Sequence, residues 1–216
     1  MNRTITISGI GHVQKAPDQI EIDLQMTTRN KTYVEVMKEA DEKIHLLQEA
    51  IVKAGLLETD LRTTDYDVMT DYGRNRDQYG NYSPKYFCYV VSHSFSLRFD
   101  FSLEQLAKVL EAITECGAKP QFSIHFTLKD LEGAKAEVMR DAVRKARQEA
   151  QLLCDAAGAK LGDLITVDHS WNEINLYSST RYALAYMACD GAVGSAPMTP
   201  EDVDLKDTIR FTWAIE

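Results

Sequence analysis

The segment 20–27 constrains this chain more than any other stretch, because Ile20, Ile22, Leu24 and Met26 alternate strictly with Glu21, Asp23, Gln25 and Thr27. A period of two sends successive side chains to opposite faces of a strand. The pattern therefore demands a sheet with one buried face and one wetted face, the usual state of antiparallel sheets. Ile5 and Ile7 alternate in the same way with Thr4, Thr6 and Ser8, and the turn Ala16-Pro17-Asp18 separates the two strands. At the other end of the chain, Ile209, Phe211, Trp213 and Ile215 share one face of a last strand.

Helices alternate with these strands. Thr32-Tyr33-Val34-Glu35 is a capping box, in which the Thr and Glu side chains satisfy backbone donors left open at a helix start. Met37, Ala40, Ile44, Leu47, Ile51 and Ala54 follow as an apolar stripe, and Gly55 ends it. Residues 61–70 read as a third strand, and 71–85 as a polar, tyrosine-rich loop or hairpin tip. In the long strand 86–100, Phe87, Tyr89, Val91, His93, Phe95, Leu97 and Phe99 share one face, opposite Cys88, Val90, Ser92, Ser94, Ser96 and Arg98. Ser102-Leu103-Glu104-Gln105 opens a second helix, through Leu106, Leu110 and Ile113 to Gly117. Phe122, Ile124, Phe126 and Leu128 form another strand.

The longest helix covers 130–157, with Met139, Val143, Ala146, Ala150, Leu153 and Ala157 along one side and Gly158 as its stop. A strand at 164–169 and an irregular stretch at 172–201 follow. The order is approximately ββαββαβαβ: an α+β fold of antiparallel or mixed sheets covered by three helices. The chain forms either one domain over 1–216 or two closely packed halves.

Charge and composition remove several function classes. Asp and Glu number 33 against 24 Lys and Arg, a net of −9, which repels phosphate backbones and anionic lipid. The densest basic group, Arg140, Arg144, Lys145 and Arg147, is interleaved with Glu137, Asp141 and Glu149 and reads as a salt-bridged helix face. Nucleic acid is therefore not an expected partner. No apolar run approaches the roughly 20 residues of a membrane-spanning helix. Met1-Asn2-Arg3 leads straight into a strand without the apolar core of a signal peptide, so the chain is expected in the cytoplasm unless a leader has been removed. Cys88, Cys116, Cys154 and Cys189 are widely spaced and read as reduced, mostly buried thiols.

No catalytic motif emerges. Gly9-Ile10-Gly11 lacks a third glycine and leads to a strand rather than a phosphate-cradling helix. Gly194-Ser195-Ala196 lacks the nucleophile-elbow pattern. The histidines are scattered, although strands could bring His93, His125 or His169 beside an Asp. Asp65 and Asp67 share a strand face and read as solvated surface. The two irregular stretches are aromatic: Tyr72, Tyr79 and Tyr82 in the first, and Trp171, Tyr177, Tyr182 and Tyr186 in or beside the second. Tyr and Trp give large amphipathic contact area, so these seven residues either form an interface or cover the domain's own core.

Several segments, in order, resemble the SIMPL family. They are Ile7-Ser8-Gly9-Ile10-Gly11 with Val13, then Ala16-Pro17-Asp18, then Asp60-Leu61-Arg62-Thr63-Thr64-Asp65-Tyr66. Leu106 to Ala118, Phe126-Thr127-Leu128-Lys129-Asp130 and Ala157-Gly158-Ala159-Lys160-Leu161-Gly162 complete the set, which covers nearly the whole chain. The resemblance implies an α+β fold, oligomers in some members, no established enzymatic activity, no cofactor and no catalytic residues to transfer. Bacterial members include periplasmic proteins linked to oxidative-stress defence and an immunogenic envelope protein, usually made with a signal peptide. The expectation is a non-enzymatic, self-assembling or partner-binding domain, envelope-associated and stress-protective. The rival readings are a small-ligand receptor or enzyme with a cleft under the tyrosine-rich loops, and redox sensing through the cysteines.

Overall fold

The computed structural model describes residues 3–76, 82–169, 176–180 and 199–216, with side chains throughout except at 73–76 and 82–86. The strands are β1 Thr4–Lys15, β2 Gln19–Asn30, β3 Leu61–Arg76, β4 Tyr82–Asp100, β5 Gln121–Thr127, β6 Leu161–Asp168 and β7 Val203–Ile215. The helices are α1 Tyr33–Lys53, α2 Leu103–Glu115 and α3 Leu131–Ala156. The order ββαββαβαββ is the expected α+β class, with one strand more at its end than the approximate string. Two sheets form, β1-β7-β6 and β3-β4-β2-β5. The ladders β1–β7, β6–β7, β2–β4 and β3–β4 are all antiparallel. The chain divides into two compact units: 1–18, 126–180 and 200–216 in the first, 19–125 and 181–199 in the second.

In the first unit α3 lies on β1 and β7. Strand alternation turns Ile7, Ile209, Phe211 and Trp213 toward the helix, where they meet Ala142, Ala146 and Ala150. The glycines at positions 9 and 11 explain how close that helix comes. A β-carbon on Gly9 would lie 2.2 Å from the Ala142 carbonyl oxygen, and one on Gly11 2.0 Å from that of Val138. Helix backbone thus occupies the space where side chains would stand.

This corrects the expected face of α3. Its buried line is Ala134, Val138, Ala142, Ala146, Ala150 and Cys154, so Ala146 and Ala150 of the expected stripe are buried, Met139 packs partly buried against the core, and Val143, Leu153 and Ala157 fall outside it. Val143 and Leu153 are each 45% exposed. The cause is steric: the small side chains of Ala142 and Ala146 let the helix backbone close on Gly9, and the backbone of Val138 comes equally near Gly11.

In the second unit α1 packs on β2 and β4 and touches α2. Ile20, Ile22, Leu24 and Met26 are all buried, as the alternation requires. Thr32 Oγ1 accepts the Glu35 N–H and donates to the Glu35 carboxylate, so Thr32 is the N-cap, while the carboxylate meets its hydroxyl rather than its backbone N–H as a full capping box would. Ser102 Oγ accepts the Gln105 N–H at the start of α2, and the Gln105 side-chain amide donates to the Ala54 carbonyl at the end of α1.

Of the two expectations for 71–85, the hairpin is the one found: residues 71–76 and 82–85 are strand. Pairing of β3 with β4 continues from Asp71↔Cys88 to Arg76↔Tyr82, while β2 leaves the sheet at Asn30↔Tyr89. Six residue pairs therefore form a two-stranded ribbon beyond the third strand. Pro84 is compatible with it, because a ribbon strand has one edge with no ladder to donate to.

Gly11→Ala should destabilise the protein by about 3 kcal/mol, since the helix backbone must move to admit a methyl group. Gly55 has φ +89° with open space around it, so Gly55→Ala should cost only about 1 kcal/mol. Urea unfolding of both variants checks the ranking; equal losses would contradict the close-approach explanation.

Candidate functional site

The base of the ribbon carries the most conspicuous exposed aromatic surface. Tyr72 is 58% exposed on β3 and Phe87 63% exposed on β4, beside the register shift between Asp71 and Tyr72. Tyr33, at the start of α1, is also exposed and meets Tyr89 edge-on at 5.7 Å. Of the seven aromatic candidates, Tyr72 is thus an exposed ribbon residue, and Tyr82 is the first residue of β4. Tyr177 is half-exposed in the first unit, its segment tied down by Ser178 N–H to the Phe126 carbonyl at 2.9 Å. Tyr79, Trp171, Tyr182 and Tyr186 lie outside the described residues.

The histidines meet aspartates singly rather than as a cluster. His12 Nε2 lies 2.5 Å from Asp204, His125 3.5 Å from Asp23, and His169 2.7 Å from Asp207. Asp207 is buried on the inward face of β7, and its second oxygen accepts the Thr208 N–H at 2.8 Å. Burial raises the pKa of Asp23, helped by Glu21 and opposed by His125 and Arg98. Glu21 is itself buried, accepting from Ser96 Oγ and from Arg98 Nε and Nη2 at 2.6–2.9 Å. Sequence analysis missed Glu21 and Asp207. Asp207 was detectable as a charge in the otherwise apolar inward row Val203, Leu205, Ile209, Phe211 and Trp213.

His93 is buried beneath α1. Its ring lies 3.9 Å from that of Phe95 and 4.8 Å, edge-on, from that of Tyr66. Nε2 is 3.0 Å from Thr63 Oγ1, a base–hydroxyl contact of the sort nucleophilic catalysis uses. Yet Nδ1, where a triad would place an orienting carboxylate, has no hydrogen-bond partner. Desolvation lowers the His93 pKa, and the charges of Asp41 and Asp65 oppose it. Asp65 and Asp67 lie exposed on β3, in keeping with solvated sheet surface.

Two shallow clefts are lined by described residues. One, about 490 Å³, lies in the first unit and is lined by Gln14, Tyr177, Ser179, Glu201, Asp202 and Asp204. The other, about 480 Å³, lies in the second unit against the α1 residues His45, Gln48, Glu49, Val52 and Lys53. Cys88 and Cys154 are buried free thiols, and Cys116 is a half-buried one. Among the described residues no group of three or more His, Cys, Asp or Glu side chains is placed to hold a metal ion. No described helix is long and apolar enough to cross a membrane.

The basic group on α3 is ion-paired in part. Asp141 accepts from Arg144, from Lys145 at 2.7 Å and from the His12 backbone N–H at 3.0 Å. Lys15 pairs with Glu137 at 2.6 Å. These contacts clamp α3 to β1 along the same line as the glycines.

Against known proteins, the chain matches the SIMPL family model, described as "Protein of unknown function (DUF541)", over residues 5–213. It belongs to that family. Among curated proteins it is similar to the "26 kDa periplasmic immunogenic protein" of Brucella abortus (strain S19), and to the protein of the same name from Brucella melitensis biotype 1. Each is 26% identical over 163 residues, which is 76% of this chain and 65% of the relative.

Asp141 generates a pH prediction. The Lys145 hydrogen bond, then the His12 N–H and Arg144, hold its carboxyl well below the usual carboxylate range. A depressed folded-state pKa gives stability that is complete above the unfolded value near 4 and is lost as pH falls below it. Asp141→Asn should therefore be less stable than the parent at pH 7, with the gap closing on acidification toward about pH 2. A gap that stays constant over that range in urea titrations would show that the carboxylate charge is not what matters.

Proposed function

We propose that this chain is a non-enzymatic domain that assembles with copies of itself or binds another protein, in the cell envelope, with a role in stress protection. The ribbon formed by the ends of β3 and β4 is the observation that supports it best. A two-stranded hairpin without a third strand is marginal in water. This one exposes Tyr72 and Phe87 at its base, and buried aromatic anchors are what protein interfaces are commonly built on. The envelope setting draws on the word periplasmic in the relatives' names. The stress role draws on the family resemblance alone.

A second reading has its own observation. The cleft holding Tyr177 places one aromatic ring beside Glu201, Asp202 and Asp204, a composition suited to a small cationic ligand. It makes this chain a receptor rather than an assembly unit.

The pair Tyr72→Ser and Phe87→Ser tests the first reading. Both side chains are exposed, so folding stability should change by no more than about 1 kcal/mol. Sedimentation velocity should then show a smaller species than the parent chain, or a pull-down should lose its partner. Unchanged assembly and unchanged partner capture in this variant would remove the ribbon from the account.

A further inference from the structure

One buried polar side-chain atom among the described residues has no hydrogen-bond partner: Nδ1 of His93. Such an atom calls for an explanation, because burying an unpaired polar group costs free energy. The other ring nitrogen, Nε2, is engaged with Thr63 at 3.0 Å. The ring is held between Phe95 and Tyr66, and the residue is only 8% exposed.

Two methionines are placed near this imidazole, one by strand register and one through its neighbour Tyr66. Met26 is directly opposite His93 in the β2–β4 register, on the same sheet face, and is 4% exposed. Directly opposed residues have β-carbons about 5 Å apart, within reach of a methionine side chain. On the helix side, Met37 Sδ accepts from the Tyr66 hydroxyl at 3.5 Å. Tyr66 is the β3 residue opposite His93. The neighbourhood therefore combines one open imidazole nitrogen, the aromatic rings of Tyr66 and Phe95 and two methionine side chains, with no carboxylate hydrogen-bonded to the ring.

We propose that His93, Met26 and Met37 form a binding site for a soft monovalent metal ion of the copper(I) class, with Nδ1 as its nitrogen ligand. Thioether and imidazole donors favour copper(I), whereas magnesium and calcium require oxygen. A single positive charge suits a site with aromatic faces and no anionic ligand. Burial keeps the imidazole in the neutral form that ligates a metal. An approach exists at the outer strand of the sheet, where Tyr66 is 42% exposed and Met37 half-buried.

The test uses silver(I), a redox-inert probe of copper(I) sites, with the full chain labelled for imidazole nitrogen and methionine methyl NMR. The thiols of Cys88, Cys116, Cys154 and Cys189 also take silver, so the readout is the His93 resonances rather than total uptake. Silver should displace the His93 Nδ1 signal more than Nε2, together with the methyl signals of Met26 and Met37. Met26→Leu and Met37→Leu conserve volume, and each should weaken the Nδ1 response at least roughly 10-fold while leaving the urea midpoint nearly unchanged. If His93 does not respond at silver levels that saturate the thiols, there is no site. If it responds equally in both leucine variants, the thioethers are not ligands and the proposal fails.

Discussion

The contact of Gly9 and Gly11 with the carbonyls of Ala142 and Val138 governs the first unit. Because β1 presents no side chain at those positions, α3 settles with its backbone against the strand. That approach buries the line from Ala134 through Val138 and Ala142 to Cys154 and leaves Val143 and Leu153 half-exposed. It also brings Asp141 within 3.0 Å of the His12 N–H and Glu137 within 2.6 Å of Lys15. The electrostatic clamp depends on the steric fit, since the carboxylates reach β1 only from a helix this close.

The residues that carry the family resemblance act in the same structural way. Asp18 accepts the Lys129 N–H at 2.7 Å and donates its own backbone N–H to the Thr127 carbonyl at 3.1 Å. Asp60 accepts the Leu57 N–H at 2.9 Å. Gly158 adopts φ +70° just past the end of α3. Each of these residues shapes a turn, an entry or a close approach. Their roles are those of a scaffold.

Most of the architecture was legible because strand alternation and helix caps are local signals. The row Ile20 to Met26 gave its buried face directly, and the boxes at Thr32 and Ser102 gave their helix starts. Two of the differences, at α3 and at Glu21, come from a partner distant in sequence. The stripe on α3 that is buried depends on glycines about 130 residues earlier, so local periodicity could not choose between adjacent stripes. Glu21 looked like solvated surface because Ser96 and Arg98, which hold it, lie 75 and 77 residues away. Between a loop and a hairpin tip at 71–85 the sequence does not choose, because Gly, Asn and Pro content marks turns without showing how far the strands on either side pair. The aromatic composition of the candidate interface was visible in the sequence, and its placement was visible only in part. Tyr72 is in the second unit and Tyr177 in the first.

Association, with copies of itself or with another protein, is the role proposed for this chain. Its most direct test is the solution mass of the unaltered protein, by size-exclusion chromatography with light scattering over a concentration series. A defined oligomer that persists on dilution is the result this account predicts for self-assembly. A strict monomer of 24.4 kDa at every concentration, with no partner recovered from cell extract, would contradict it.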